Sequence, residues 1–334
     1  MALVRARIFG TGHAVPPRVL TNQELARTVD TSDQWITERT GIKERRILAA
    51  GQCASDLAAE AARKACEAAG WDAATLDCLI VATVTPDSPL PSCAAHVQIK
   101  LGCRPGMPAF DIAAACAGFI YGLSIADSFI KTGQFKRVCV VGVEVLSRIV
   151  NWQDRNTCVL FGDGAGAVVL GAGAPVHDQG DRGVLSTHIY ADGRGADHLW
   201  VPAGGSSMPA TAETVAQGLH YVHMNGRQVY ANAVRNMSAA CEDALRANEA
   251  TTHDVDHVVA HQANMRIIEQ VAEHCGLPLS KFVLNLEKYG NTSSASIPIA
   301  LDEAARDGRL KEGDTILLCA LGAGFAYGSA YLRW

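Results

Sequence analysis

The chain has 334 residues, a length that predicts roughly two domains at about 150 residues each. Hydrophobic residues make up 49% of it and charged residues 19%, a balance that permits a buried core and excludes a disordered chain. The net charge of −5 gives no basis for binding a polyanion, so we expect no nucleic acid among its partners.

Predicted helices and strands alternate along the chain, which is typical of layered α/β proteins. Short apolar runs predict strands buried on both faces, and alanine-rich stretches between them predict helices. In chain order the predicted elements are a helix over 55–69, a strand over 79–82, a helix over 116–132, strands over 138–141 and 167–170, a helix over 229–248, a strand over 258–260, helices over 266–274 and 296–306, and a strand over 316–318.

The eleven cysteines indicate a reduced compartment. Their number is odd, no CxxC pair occurs, and several stand in apolar runs where a free thiol packs as a small hydrophobe. We therefore expect a cytoplasmic protein without a disulfide framework and without a metal site. Arg5 and Arg7 interrupt the apolar start of the chain, and the uncharged run over 112–126 is shorter than the ~20 residues that span a bilayer. We expect neither a signal peptide nor a membrane partner.

Three segments recur in the same order about 175 residues apart, which indicates two copies of one α/β unit. The segments beginning near Leu76, Phe110 and Val138 resemble those beginning near Val255, Phe282 and Ile316. We place the first copy at 1–174 and the second at 183–334, joined through the polar, glycine-containing stretch over 171–183. The alternative is a chance likeness among apolar strands.

Cys116 is the candidate nucleophile. A strand ends near Ile112, and the sequence AAACAG then leads into a helix. A thiol at a helix N-terminus meets the positive end of the macrodipole and free backbone amides, so we expect its pKa to be lowered. The alternative is one more packed cysteine.

Its candidate partners lie in the second copy. His261 follows the strand over 258–260, and Asn291 precedes the helix over 296–306. In the aligned copies the Asn291 region corresponds to the Cys116 region, so a pseudo-twofold axis brings the two helix ends face to face with His261 nearby. The alternatives are a hydrogen-bonded structural histidine and a helix N-cap asparagine.

Six motifs in order resemble β-ketoacyl-acyl carrier protein synthase III, an initiating condensing enzyme. They are TSDQWITERTGI over 31–42, AFDIAAACAGF around Cys116, FGDGAGAVVL from Phe161, HQAN at His261, GNTSSAS around Asn291 and GAGFAYGS near the C-terminus. The resemblance implies a thiolase-like fold, with two duplicated α/β halves in a five-layered αβαβα arrangement, and a homodimer.

The resemblance also implies a two-step reaction. Cys116 attacks an acyl-CoA and becomes acylated; malonyl-acyl carrier protein then loses CO2, and its carbanion attacks the acyl group. His261 and Asn291 donate hydrogen bonds to the enolate. The backbone amides of Cys116 and Ala323 serve the tetrahedral intermediate. Many relatives have three glycines where this chain has Ala323 between two, and a positive φ there would be strained. We expect no cofactor, since acyl-CoA is a substrate.

CoA contacts follow from matched positions in the family's motifs. Trp35 and Arg155 flank the adenine and Arg39 lies near phosphate, roles that suit an aromatic ring and guanidinium groups. Thr31 and Asn264 match further CoA or pantetheine contacts. The alternatives are a core aromatic for Trp35 and solvated surface charges for the arginines.

Two positions depart from the family pattern. Arg266 matches its carrier-protein docking arginine, but positions that carry lysine in some relatives are here Ala231, Glu273 and His274. We therefore expect weaker docking or other basic contacts. Leu90 stands where relatives reach from the partner subunit to the floor of the acyl pocket, often with an aromatic residue. A leucine there predicts a branched or somewhat longer starter.

Other function classes fit less well. The glycines over 162–166 lack the GxGxxG spacing of a dinucleotide site, and neither a P-loop nor a GxSxG motif occurs. Besides the initiating enzyme of fatty acid synthesis, the sequence is compatible with three alternative functions. They are a related acyltransferase with another acceptor, a condensing enzyme of secondary metabolism, and a non-catalytic CoA-binding protein.

Overall fold

A computed structural model describes residues 4–175 and 182–334. Its strands are β1 (Val4–Ala14), β2 (Val19–Thr21), β3 (Glu44–Arg46), β4 (Cys78–Ala82), β5 (Ala109–Ile112), β6 (Arg137–Val145), β7 (Asp163–Pro175), β8 (Gly183–Ala191), β9 (Leu199–Trp200), β10 (His223–Met224), β11 (His257–Ala260), β12 (Thr315–Leu321) and β13 (Ala326–Arg333). Its α-helices are α1 (Asn22–Leu25), α2 (Asp33–Thr40), α3 (Ala54–Ala69), α4 (Cys93–Leu101), α5 (Gly118–Lys131), α6 (Arg155–Cys158), α7 (Ala212–Ala216), α8 (Gly226–Ala247), α9 (Met265–Cys275), α10 (Leu286–Tyr289) and α11 (Ser296–Arg306). Within the described ranges, none of these helices is long and apolar enough to cross a membrane.

Two mixed sheets form the framework. The first has the order β1-β7-β6-β4-β5, in which β6, β4 and β5 are parallel and β7 is antiparallel to both of its neighbours. The second has the order β11-β12-β13-β8, with β11 parallel to β12 and the remaining pairs antiparallel. Beside β11, where the first sheet has β5, the second has a single parallel bridge between Val258 and Phe282. The likeness of the segments near Phe110 and Phe282 therefore matches equivalent places in the two sheets.

The helices complete five layers. Helices α3 and α4 cover the outer face of the first sheet, α5 and α11 lie between the sheets, and α8 and α9 cover the outer face of the second. The middle helices bury residues on several sides, as Phe119, Ile120 and Leu123 of α5 show, because both of their flanks face a sheet. The five-layered arrangement expected from the family resemblance is confirmed.

The predicted elements are all present, with shifted ends. Helix α5 begins two residues later than predicted because a 3₁₀ turn over Ala115–Ala117 precedes it. The sequence pattern did not predict α2, α4 or the strands β1, β8 and β13. The predicted joint over 171–183 starts on β7 and ends on β8, and its residues 176–181 lie outside the described residues. The boundaries at 174 and 183 stay predictions.

Candidate active site

Cys116 lies in the 3₁₀ turn that connects β5 to α5. Ala115, directly before it, has a φ of 44°, a left-handed conformation that an alanine adopts only at a cost in energy. The strained residue turns the chain sharply between strand and helix. Cys116 is thereby held at the edge of the sheet, buried but bordering two cavities.

A second strained turn faces the first from the other half. It spans Ser293–Ala295 and leads into α11, and Ser293 has a φ of 48°. The two turns pack against each other. Gly142 of β6 lets the second turn approach the first sheet closely, because a Cβ at that position would lie 2.2 Å from the carbonyl oxygen of Ser294. The facing helix starts predicted from the repeat are therefore present.

Asn291 is anchored just before this second turn. Its amide N–H donates to the Leu160 carbonyl at 2.8 Å, and its own carbonyl accepts from the Gly162 amide at 3.0 Å. Its side-chain Oδ1 accepts from the Ser293 amide at 2.8 Å. Because Oδ1 is engaged, the side chain offers its Nδ2 amide to the cavity as a hydrogen-bond donor.

His261 follows β11 and is buried, with its Nδ1 atom 2.7 Å from the Ser296 hydroxyl oxygen. Burial lowers the pKa of His261 to about 3. The imidazole is therefore neutral near neutral pH. When the Ser296 hydroxyl donates to Nδ1, the ring proton is on Nε2, and the imidazole is a neutral hydrogen-bond donor.

The pKa of Cys116 departs from the sequence-based expectation. The pKa is raised to about 12, mainly by burial and to a smaller extent by the charge of Glu144, whereas donation from the Ser293 hydroxyl and from the Cys116 backbone amide opposes the rise. The predicted lowering by a helix terminus is wrong in direction, because the thiol is buried in a turn that precedes the helix. Cys116 is therefore a neutral thiol near neutral pH.

A cavity of about 980 Å³ brings most of the predicted site residues together. Cys116, His261 and Asn291 border it. Four of the residues that the family pattern assigns to CoA or pantetheine, and the docking arginine, border it as well: Trp35, Arg39, Arg155, Asn264 and Arg266. A second cavity of about 430 Å³ begins at Cys116 and is mostly apolar, lined among others by Val84, Leu146, Ile149, Phe161, Leu199, Trp200, Val201 and Val222. The sulfur is thus reached from two sides.

Two guanidinium groups lie close to the ring of Trp35, and all three side chains border the larger cavity. The Arg39 guanidinium carbon lies 4.7 Å from the Trp35 ring centroid, and that of Arg155 lies 5.0 Å from it. Arg155 also donates to the carbonyl of Asp30 at 2.9 Å. The Thr31 hydroxyl lies outside the lining of the cavity and is buried without a hydrogen-bond partner.

Asn264 and Arg266 mark the start of α9. The Asn264 side chain caps this helix by accepting from the Arg266 amide at 2.9 Å. The Arg266 guanidinium donates to the carbonyl of Glu38 at 3.0 Å, which ties α9 to α2. Arg266 is exposed at the rim of the cavity.

Ala323 and Leu90 were predicted from the family pattern alone. Ala323 borders the smaller cavity beside Cys116. In this loop the positive φ values fall on Gly324 (69°) and Phe325 (43°), so the strain considered for Ala323 does not arise. Leu90 lies outside the linings of both cavities and is 86% exposed.

Two polar residues beside Cys116 were missed by the sequence analysis. Glu144 is fully buried on β6, and Ser293 lies between it and Cys116. The available signal was a carboxylate inside the apolar run VCVVGVEVL, since such a buried charge requires a specific environment.

Comparison with known proteins agrees with this geometry. A family model for 3-oxoacyl-[acyl-carrier-protein] synthase III matches residues 110–193, and one for the C-terminal part of the same enzyme matches residues 245–334. The chain is 51% identical over 331 residues to the β-ketoacyl-[acyl-carrier-protein] synthase III of Paramagnetospirillum magneticum, covering 99% of each chain. It is 53% identical over 327 residues to that of Symbiobacterium thermophilum, covering 98% of this chain and 97% of the relative.

A solved structure gives the same result. The crystal structure of 3-oxoacyl-[acyl-carrier-protein] synthase III from Aquifex aeolicus superposes with a TM-score of 0.89 at 46% identity, covering 98% of this chain and 100% of the other. Identity at this level over nearly the whole length shows the family as well as the thiolase-like fold. The chain belongs to the β-ketoacyl-[acyl-carrier-protein] synthase III family, the acyl-transferring condensing enzymes of fatty acid synthesis.

Proposed function

We propose that the chain condenses an acyl-CoA starter with malonyl-acyl carrier protein through an acyl-Cys116 intermediate. The observation that carries this proposal is the position of Cys116 on the wall of two cavities. The larger one also presents His261 and Asn291, and the smaller one is apolar. A thioester can therefore bind with its carbonyl at the sulfur, its CoA portion in one cavity and its acyl chain in the other.

In the first step the CoA portion occupies the larger cavity. We place the adenine at Trp35, where two guanidinium groups already lie near the ring and can contact an aromatic base or a phosphate. Asn264, on the wall of the same cavity, is a further contact for CoA or its pantetheine arm, and Thr31 is kept as one on the family pattern alone. The Cys116 sulfur attacks the thioester carbonyl, CoA leaves, and the amides of Cys116 and Ala323 hold the oxyanion.

In the second step His261 and Asn291 stabilise the enolate that forms when the malonyl group loses CO2. Both offer neutral N–H donors, Nε2 of His261 and Nδ2 of Asn291, next to Cys116. Loss of CO2 generates the nucleophile, so this step requires no strong base. No cofactor enters either step.

We propose that the starter is branched or longer than acetyl. The smaller cavity, at about 430 Å³, falls within the usual size of a ligand pocket, and an acetyl group would fill only a small part of it. The exposed side chain of Leu90 is free to reach a second copy of the chain in the proposed homodimer. A leucine at the pocket floor leaves more room than an aromatic ring.

We propose that Arg266 is the docking contact for the acidic carrier protein, with the reaction taking place in the cytoplasm. Its guanidinium is exposed at the cavity rim, near the opening through which a pantetheine arm would enter. Arg266→Glu should raise the KM for malonyl-acyl carrier protein about tenfold or more and leave Cys116 acylation by acyl-CoA nearly unchanged. An equal loss in both steps would contradict docking.

Mass spectrometry of the acyl-enzyme tests the mechanism. Incubation with an acyl-CoA should add one acyl mass to the Cys116 peptide, and later addition of malonyl-acyl carrier protein should release CO2 and a β-ketoacyl product. Cys116→Ala should abolish the adduct, whereas Cys103→Ala, a matched change of a partly exposed thiol on another surface, should keep it. Acylation without CO2 release would indicate a different acceptor, and absence of acylation would indicate a non-catalytic CoA-binding protein.

Starter choice is tested separately. Comparable rates of Cys116 acylation by acetyl-CoA, isobutyryl-CoA and hexanoyl-CoA would support the proposal, and Leu90→Phe should slow hexanoyl-CoA selectively. Strict preference of the unaltered protein for acetyl-CoA would contradict it.

A further inference from the structure

Glu144 is a fully buried carboxyl group beside Cys116. It lies on β6 with 0% of its surface exposed. Across residues 4–175 and 182–334, no lysine, arginine or histidine forms an ion pair with it. Burying an unpaired carboxylate is costly, so its neighbours must explain its presence.

Those neighbours are hydrogen-bond donors from both halves of the molecule. From the loop after β4, Thr85 Oγ1 lies 2.6 Å and the Val84 amide 3.2 Å from Oε2. Thr83 Oγ1 makes a longer contact of 3.4 Å to the same oxygen. From the turn before α11, the hydroxyls of Ser293 and Ser294 both lie 3.1 Å from Oε1. Such a set can hold a carboxylate or, with hydroxyls rotated, a neutral carboxylic acid.

Ser293 differs from Ser294 in one respect that bears on function. Ser293 borders the smaller cavity together with Cys116, whereas the Ser294 hydroxyl donates to the Ala82 carbonyl at 2.8 Å. Ser293 therefore lies beside Cys116 on the wall of the smaller cavity and donates its hydroxyl to Glu144, and the turns that carry Ser293 and Cys116 pack together. The other titratable group facing Glu144 among these neighbours is Cys116 itself.

We propose that Glu144 receives the Cys116 thiol proton through the Ser293 hydroxyl when the sulfur attacks the acyl-CoA. The S–H bond breaks as an O–H bond forms at Ser293 Oγ, and the original Ser293 proton passes to a Glu144 carboxylate oxygen. The sulfur keeps the electron pair and uses it to form the new thioester bond, while CoA leaves with the pair of the old one. The reverse transfer protonates the sulfur when Cys116 leaves in the condensation step. The inference rests on the proposed function, since it requires Cys116 to be the acylated residue.

The pH dependence of acylation should report this transfer. Burial raises the pKa of Glu144 to about 7, so the fraction able to accept a proton grows as pH rises through that value. The pKa of Cys116 is about 12 and that of His261 is about 3, so neither titrates near pH 7. Acylation should therefore increase with pH up to a plateau above about 7.

Single-turnover acylation of Cys116, followed by mass spectrometry between pH 5.5 and 9.5, tests the proposal. Glu144→Gln and Ser293→Ala should each lose the inflection near pH 7 and acylate on the order of 10²-fold more slowly at pH 8, the usual contribution of a proton acceptor. Without the inflection, the rate should rise steadily with pH toward the pKa of the thiol. Ser294→Ala, which removes an equally distant hydroxyl from the same carboxylate oxygen, should keep the inflection.

The outcomes separate this proposal from the previous one. If the unaltered protein is not acylated, or Cys116→Ala still forms the adduct, the proposed function fails. If Cys116 is acylated but Glu144→Gln keeps its inflection, or Ser293→Ala and Ser294→Ala give the same profile, the proton transfer is refuted. Circular dichroism establishes folding, and if Glu144→Gln does not fold, the two serine variants decide the matter.

Discussion

Gly322 packs against the backbone of Cys116, and replacing Gly322 with alanine should displace Cys116. An added Cβ would lie 2.5 Å from the Cys116 nitrogen and 2.9 Å from the Ala115 Cβ. Ordinary contact begins at 3.4 Å, so the turn must move by about 1 Å, a displacement that can cost on the order of 10²-fold in rate. The φ of Gly322 is −126°, which any residue adopts, so the effect is purely one of space.

The same crowding should lower the free energy of unfolding by about 1–3 kcal/mol, because one of the colliding groups is backbone that cannot rotate away. We would measure Cys116 acylation in a single turnover and stability by denaturant unfolding. Gly205→Ala is the control, since its Cβ would meet nothing within 4 Å. If Gly322→Ala acylates at the rate of the unaltered protein with unchanged stability, the turn is not held by this contact.

Three further predictions follow from the site. Asn291→Asp keeps the acceptor of the Ser293 amide but loses the Nδ2 donor, so CO2 release should fall about 10²–10³-fold; Asn291→Ala should also lose about 1–3 kcal/mol of stability by leaving that amide unpaired. Equal stability of the two variants would show that the amide finds another partner. Trp35→Ala should raise the KM for acyl-CoA about tenfold, the result of losing roughly 1–3 kcal/mol of base stacking, and should leave acyl-pantetheine, which lacks adenine, unaffected. A similar rise for both substrates would place the adenine elsewhere. The pKa of His261 is 6.5 in the unfolded chain and about 3 in the folded one, so between these pH values the unfolded state binds the additional proton. The contribution of the neutral imidazole to the free energy of unfolding is therefore fully present above pH 6.5 and is lost as pH falls toward 3, by at most about 1.4 kcal/mol per pH unit. Unfolding free energies of the unaltered protein and His261→Asn should converge over this range; a constant difference would contradict the buried neutral imidazole.

The central strands of the two sheets could be predicted from the sequence because both sheets are buried on two faces. Uninterrupted apolar runs then mark central strands such as β4 and β12, and the spacing of equivalent runs reveals the duplication. Strands that mix small, aromatic and polar residues, such as β13 with the sequence AYGSAYLR, carry no such pattern. Their strand conformation depends on pairing with neighbours that only the folded chain provides.

Three residues of the candidate site could be predicted from the sequence for a different reason. Cys116, His261 and Asn291 lie in short motifs at strand and helix ends, and the structure brings all three to one cavity. The pKa of Cys116 was predicted in the wrong direction, because local sequence shows the helix that follows but not the residues that bury the thiol. Glu144 was missed because its donors come from a loop and a turn up to 150 residues away.

The two strained turns have a consequence for how the site is divided. Ala115 and Ser293 are the first residues of the two 3₁₀ turns, one in each half, and both have a positive φ. The two turns pack against each other. One bend presents a thiol, while the other presents a hydroxyl and is preceded by an asparagine. In the proposed reaction neither half alone therefore contains a complete site. One copy of the duplicated scaffold would supply the nucleophile, and the other copy would supply the hydrogen-bonding groups that act with it.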